Sequence, residues 1–191
     1  MIQLSFITTN TYKLNEAKSI FQPIGIEIVG ENIKLIEPND LSQEEITIFK
    51  AKQAFEKIKK PLIVDDTNIY FSDYDDFPGI YTKKIIQSVG IEGIKKLLID
   101  KSKNAYFKTI IVYIDSKGHK IYEGICKGAL KLNTEIKIKD QTAQFSSFFI
   151  PEGHSKTMSE FSDEDLKNVS HRYKALKLFF NDLNNRVITC K

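Results

Sequence analysis

The chain has 191 residues, of which 41% are hydrophobic and 28% charged. That length corresponds to about one ordinary domain, and the composition excludes a disordered chain and can fill a core without staples. Net charge is +3, and the lysines are dispersed in pairs such as Lys59-Lys60, Lys83-Lys84 and Lys95-Lys96. A dedicated nucleic-acid binder concentrates its basic charge in a stripe or patch, so any polyanion site here is local. No apolar run approaches the roughly 20 residues of a membrane span. The start, Met1-Ile2-Gln3-Leu4-Ser5-Phe6, lacks the basic and apolar regions of a signal peptide. Cys126 and Cys190 lie far apart and form neither a CxxC pair nor a zinc spacing. A reducing, cytoplasmic setting is the expectation.

No repeat, low-complexity tract or Pro/Gly/Ser linker interrupts the chain, which reads as one continuous domain over 1–191. Ile2–Ile7 alternates apolar and polar residues and predicts a strand. Thr8-Thr9-Asn10 is a turn cluster, and Lys13–Phe21 has helical spacing through Leu14, Ala17, Ile20 and Phe21. Gly25–Val29 predicts a second strand. A second helix is expected from about Ser42 to Lys60, stopped by Pro61. Leu62-Ile63-Val64 is a wholly apolar strand of the kind buried on both faces, expected to end at Asp65-Asp66. Phe77-Pro78-Gly79 is a turn, followed by short helices around Lys83–Val89 and Gly93–Ile99. Tyr106–Ile114 and Lys120–Ile125 predict strands joined by a hairpin-like connection at Ser116-Lys117-Gly118. Phe145–Ile150 predicts one more strand. A last helix after Ser170 carries Ala175, Leu176, Phe179 and Leu183 as an amphipathic stripe. Strands and helices interleave without strict βαβ regularity, which predicts an α/β fold with a mixed sheet.

Four groups carry candidate chemistry. The first is Thr8-Thr9-Asn10-Thr11-Tyr12-Lys13, between a strand and a helix. Amides and dipole at a helix N-terminus attract anions, and Lys13 adds a full charge, although plain capping by Thr or Asn explains such a turn equally. The second is Asp65-Asp66-Thr67. Ligands of open α/β sheets gather at the carboxyl ends of strands, whereas a solvated acidic turn is the bland alternative. Adjacent strand residues point to opposite faces, so at most one acid aims at a given ion.

The third group is Glu37, Glu44 and Glu45. Mg²⁺ takes carboxylate oxygens and shares its shell with water and substrate phosphates, so one of these glutamates could join Asp66 around it. Ser42-Gln43-Glu44-Glu45 also fits the S-x-x-E capping box, which explains Glu45 but not Glu37. The fourth group, Lys167-Asn168-Val169-Ser170-His171-Arg172, puts cations in the first turn of the last helix. The macrodipole disfavours them there, which suggests an anionic or electron-rich ligand; an exposed basic turn is the alternative.

These groups, in this order, resemble the inosine triphosphate pyrophosphatase family over nearly the whole chain. The blocks are TTNTYKLNEAKSIF, EEITIFKAKQAFEKIKKPLIVDDT, DDFPGIYTKKI with VGIEGIKKLL, AYFKTIIVYID, and FFIPEG through KTMSEFSDEDLKNVSHRYKAL. The ordered set of strand–acid–acid–Ser/Thr, FPGxY and SHR is specific. The resemblance implies an elongated mixed β-sheet flanked by helices, with two lobes and a central cleft, in a homodimer. It implies Mg²⁺-dependent hydrolysis of ITP, dITP and XTP to the monophosphate and pyrophosphate; the dispersed lysines and the lack of a long apolar run add the expectation of no nucleic-acid or membrane partner.

By the resemblance, Thr8, Thr9, Asn10 and Lys13 hold the triphosphate. Asp66 is the metal-linked acid, either Asp66 or Asp65 positions and deprotonates the attacking water, and Thr67 touches substrate. Glu37 is the second metal ligand with Glu45 as its rival, and Lys50 matches a substrate lysine. Lys167, His171 and Arg172 match residues that contact the base. The family's F-G-W/Y-D-P segment reads here Ala143-Gln144-Phe145-Ser146-Ser147. Phe145 keeps the second aromatic, while Ala143 and Ser146 replace a ring and an aspartate. That departure motivates an alternative: a nucleotide-binding or sensing protein of the same fold with relaxed or lost base-selective catalysis.

Overall fold

A computed structural model describes residues 2–132 and 145–189. Its elements run β1 (Ile2–Ile7), α1 (Thr11–Phe21), β2 (Ile26–Glu31), α2 (Gln43–Ile58), β3 (Leu62–Phe71) and α3 (Thr82–Leu97). They continue through β4 (Asn104–Asp115), β5 (Gly118–Leu130), β6 (Phe149–Pro151), α4 (Asp163–Val169) and α5 (His171–Thr189). The strands form a six-stranded sheet in the order β2-β1-β3-β4-β5-β6. β1 is parallel to β2 and to β3, whereas β6 is antiparallel to β5, so the sheet is mixed as expected. None of the described helices is long and apolar enough to cross a membrane.

The chain divides into two compact units. Among the described residues, the first comprises 2–66, 109–124 and 172–189; the second comprises 67–108, 125–132 and 145–171. β3, β4 and β5 contribute residues to both.

The first unit buries both faces of its part of the sheet, with strict alternation. Leu4, Phe6, Ile63, Ile111 and Tyr113 pack with Ala17 and Phe21 of α1 and Ala175, Leu176 and Phe179 of α5. Ile7, Leu62, Val64, Ile110, Val112 and Ile114 pack on the other side with Ala51 and Ala54 of α2. A period of two in β1, β3 and β4 thus assigns each residue a helix layer. The second unit has its own core, in which Ile69, Phe71, Phe107, Phe145, Phe148 and Phe149 meet Ile86, Ile94 and Leu98.

β3 does not end at the acids. It runs ten residues, through Asp65-Asp66 to Phe71. Ile69 and Phe71 resume the inward alternation in the second unit's core, so the extended backbone is anchored on both sides of its polar middle. Residues 145–150 are not one strand either: Phe145–Ser147 form a 3-10 turn, and β6 begins only at Phe149. α4 was not foreseen; it is capped by the Ser162 hydroxyl, which accepts from the Asp165 amide at 3.2 Å. α2 ends at Lys59, which adopts a left-handed conformation (φ 58°), two residues before Pro61. Gly90 (φ 61°, ψ −172°) interrupts α3 and separates the two short helices expected there.

Candidate functional site

The register of β1 against β3 sets Ile7 opposite Val64. The Thr8-Thr9-Asn10 turn and Asp65 therefore emerge at the same carboxyl edge of a parallel pair. Asn10 caps α1: its side-chain oxygen accepts from the amides of Tyr12 (3.0 Å) and Lys13 (3.3 Å). The Thr8 hydroxyl accepts from the Asn10 amide at 3.1 Å and stiffens the turn, while Thr9 is exposed. Asn10 already satisfies the first helical amides, so Lys13 is the cation this turn brings to the site.

Asp65 points to the layer of α1 and α5, with a side chain only 2% exposed. Lys13 Nζ donates to one carboxylate oxygen at 2.9 Å and Arg172 Nε to the other at 3.1 Å. Arg172 also donates from Nη1 to Glu16, one turn beyond Lys13 on α1. Burial alone would raise the Asp65 carboxyl, but the charges and hydrogen bonds of Lys13 and Arg172 outweigh it and leave its pKa at about 2. Burial likewise works against the Arg172 charge, and Glu16 and Asp65 more than compensate. The result is a network of salt bridges, centred on the buried Asp65, that joins two helices to one strand.

Asp66 faces the other layer. Its carboxylate lies 3.4 Å from Lys50 Nζ, and the same ammonium meets Glu37 at 2.7 Å. Burial tends to lower the Lys50 ammonium, but Asp66, Glu37 and Asp65 together hold it above the usual lysine value. Gln43, itself buried, donates its side-chain amide to the Asp66 carbonyl at 3.1 Å and fixes the strand beside α2. Adjacent aspartates are thus compatible because the pleat sends each to its own cations.

Glu37 and Asp66 supply hard oxygen donors around a single positive charge. Mg²⁺ takes one or two carboxylates and keeps waters or phosphates for the rest, so this pair fits it in kind and number of donors. Among the described residues no three His, Cys, Asp or Glu side chains gather as a ready-made cation cage. Glu45 stands apart: it is exposed and closes the capping box of α2, accepting from the Ser42 amide at 2.9 Å and hydroxyl at 2.7 Å.

Glu44 is exposed in the first turn of α2, and the remaining sequence candidates fall in the second unit, except Arg172. Thr67 is half-buried on β3. His171 is buried and stacked on Phe107, with ring centroids 4.9 Å apart. Lys167 pairs with Glu164 one turn away on its own helix at 2.6 Å. Phe145 belongs to the core, packed against Phe71 and Phe148. Ser146 is half-buried in the 3-10 turn, and Ala143 lies outside the described residues. Sequence reasoning missed Glu16 and Gln43. Glu16 follows Lys13 by three residues, which puts both on one helix face and was the available signal; Gln43 gave none beyond its place in the capping box.

Paired acids and basic side chains thus gather near the carboxyl edge of the parallel strands of a mixed α/β sheet. The chain belongs to the Ham1 family, whose model matches residues 4–182. It is 32% identical to the dITP/XTP pyrophosphatase of Thermococcus kodakarensis over 187 residues, covering 97% of this chain and 100% of that protein. It is 32% identical over 175 residues to the inosine triphosphate pyrophosphatase of Yarrowia lipolytica, covering 90% of each. Among solved structures, a HAM1 protein from Coxiella burnetii superposes with a TM-score of 0.81 at 19% identity, over 97% of this chain and 100% of that one. That last likeness is one of fold.

Proposed function

We propose that this protein is a nucleoside triphosphate pyrophosphatase that acts on non-standard purine nucleoside triphosphates. It hydrolyses the bond between the α and β phosphates of ITP, dITP or XTP with Mg²⁺, releasing the monophosphate and pyrophosphate. The observation that carries this reading is the division of labour on β3: Asp65 is locked into Lys13 and Arg172, while Asp66 stands with Lys50 and Glu37 on the opposite face. The names of the relatives supply the substrate class.

Lys13 and Lys50 offer positive charge to a polyphosphate from two directions, which favours its binding and the build-up of negative charge during reaction. Glu37 and Asp66 would hold the magnesium ion, which when bound neutralises charge on the phosphate oxygens. Both Asp65 oxygens are already engaged, one by Lys13 and the other by Arg172, so its role is to anchor those two cations. Asp66, with a side chain 21% exposed, orients the attacking water and takes its proton. Arg172 is fixed in orientation by Asp65 and Glu16 and contributes a rigid donor fork for the base.

The test is pyrophosphate release from ITP, dITP, XTP, GTP and ATP across a magnesium titration. Metal-dependent turnover of the first three, with GTP and ATP at least about 10-fold slower in kcat/KM, is expected. Binding of ITP without product would replace this reading by the sensing alternative.

A further inference from the structure

The segment 32–42 between β2 and α2 has no regular secondary structure, yet it carries Glu37. A ligand on an unstructured loop must be held by something else, and α2 provides it. The Gln53 side-chain amide grips both polar groups around Ile36: Nε2 donates to the Ile36 carbonyl at 2.8 Å, and Oε1 accepts from the Ile36 amide at 3.1 Å. Lys57 Nζ donates to the Lys34 carbonyl at 2.9 Å. Lys50 takes the Glu37 carboxylate at 2.7 Å. Positions 50, 53 and 57 share one helix face, and their partners 37, 36 and 34 run in the opposite order. The segment therefore lies antiparallel along α2, while Ile33 and Leu35 alternate into the apolar layer beneath it.

We infer that Gln53 is a positioning residue for the metal end of the site, holding the Ile36 peptide so that Glu37 is presented beside Lys50 and Asp66. The inference rests on the proposed function, in which Glu37 binds the divalent cation. A glutamine amide matches a peptide group donor for acceptor, so one side chain fixes both the position and the twist of the backbone next to the ligand. Residues that orient a metal ligand influence affinity through preorganisation without touching the ion.

The test compares Gln53→Met, which keeps the bulk of the stem and removes both hydrogen bonds, with Glu37→Gln and with the two combined. Lys120→Met, which breaks the Lys120–Asp182 pair elsewhere in the same unit, serves as a stability control. Mn²⁺ binding is read by water-proton relaxation, magnesium half-saturation by pyrophosphate release, and order of the segment by amide hydrogen exchange at Ile36. Gln53→Met is expected to weaken metal binding roughly 10-fold, the low end for a group that orients a ligand. Turnover at saturating metal should stay within about twofold, Ile36 exchange should accelerate, and adding Gln53→Met to Glu37→Gln should weaken binding no further. Unchanged half-saturation in Gln53→Met, beside a weakened Glu37→Gln, overturns the inference alone. If Glu37→Gln leaves metal dependence unchanged, the assignment of Glu37 falls and this inference falls with it. A shift in Lys120→Met equal to that in Gln53→Met would make the effect one of general stability and also overturn it.

Discussion

Replacing Asp65 by asparagine preserves shape and removes the charge that Lys13 and Arg172 surround. Folding moves this carboxyl from 3.8 to about 2. At about 1.4 kcal/mol per pH unit, that shift is worth roughly 2 kcal/mol. Asparagine also strands two cations; breaking a buried pair costs about 3–5 kcal/mol, and the part-exposed Lys13 puts the loss near 3. The folded pKa lies below the unfolded one, so the stabilisation is complete above the unfolded value and disappears as pH falls towards the folded one. About 1 kcal/mol of it should be gone by pH 3. Urea unfolding of both proteins, followed by circular dichroism from pH 7 to 2.5, measures this. The gap should be about 3 kcal/mol at neutral pH and narrow steadily in acid. A gap below about 1 kcal/mol at pH 7, or one that stays constant with pH, would refute the buried ionised network. Asp66→Asn is the informative contrast. Its stability should change by less than about 1 kcal/mol, because the side chain is part-exposed, while kcat should fall at least about 100-fold with loss of the base.

Glu45 separates capping from metal binding. Glu45→Gln should leave the magnesium half-saturation within about twofold of the parent, whereas Ser42→Ala should lower stability by about 1 kcal/mol through the lost cap; a metal shift in Glu45→Gln would make Glu45 the ligand. In the second unit, a Cβ at Gly128 would sit 2.1 Å from the Ile150 carbonyl oxygen and 2.7 Å from the Phe149 ring. Gly128→Ala should therefore lower stability by about 3 kcal/mol, with faster amide exchange at residues 128–130, because the obstacle is paired backbone that cannot step aside. Thermal unfolding at parental stability would contradict that pairing.

Most elements of the first 130 residues were legible because one-dimensional signals specified them. Alternation in Ile2–Ile7, the S-x-x-E box before α2 and the Ser-Lys-Gly turn between β4 and β5 each act over a few residues. β3 was misjudged for the opposite reason. Two adjacent acids look like the end of a strand when their counter-charges cannot be seen, and those counter-charges come from 16, 52 and 107 residues away. The strand at 145–150 was overextended because a run of aromatic residues suits both a strand and a core-facing turn. Phe145 and Phe148 take the turn, where their rings pack against each other.

The ordered motifs by themselves determined the family, the mixed α/β class and the small set of acids and lysines among which the chemistry lies, since residue type and local spacing are written along the chain. Tertiary structure decided how that set divides. It turned Asp65 and Asp66 to opposite layers, joined Arg172 to Glu16, and laid the Glu37 segment along α2. Charge pairing across the fold depends on which distant helices each face of the sheet meets, and packing alone settles that.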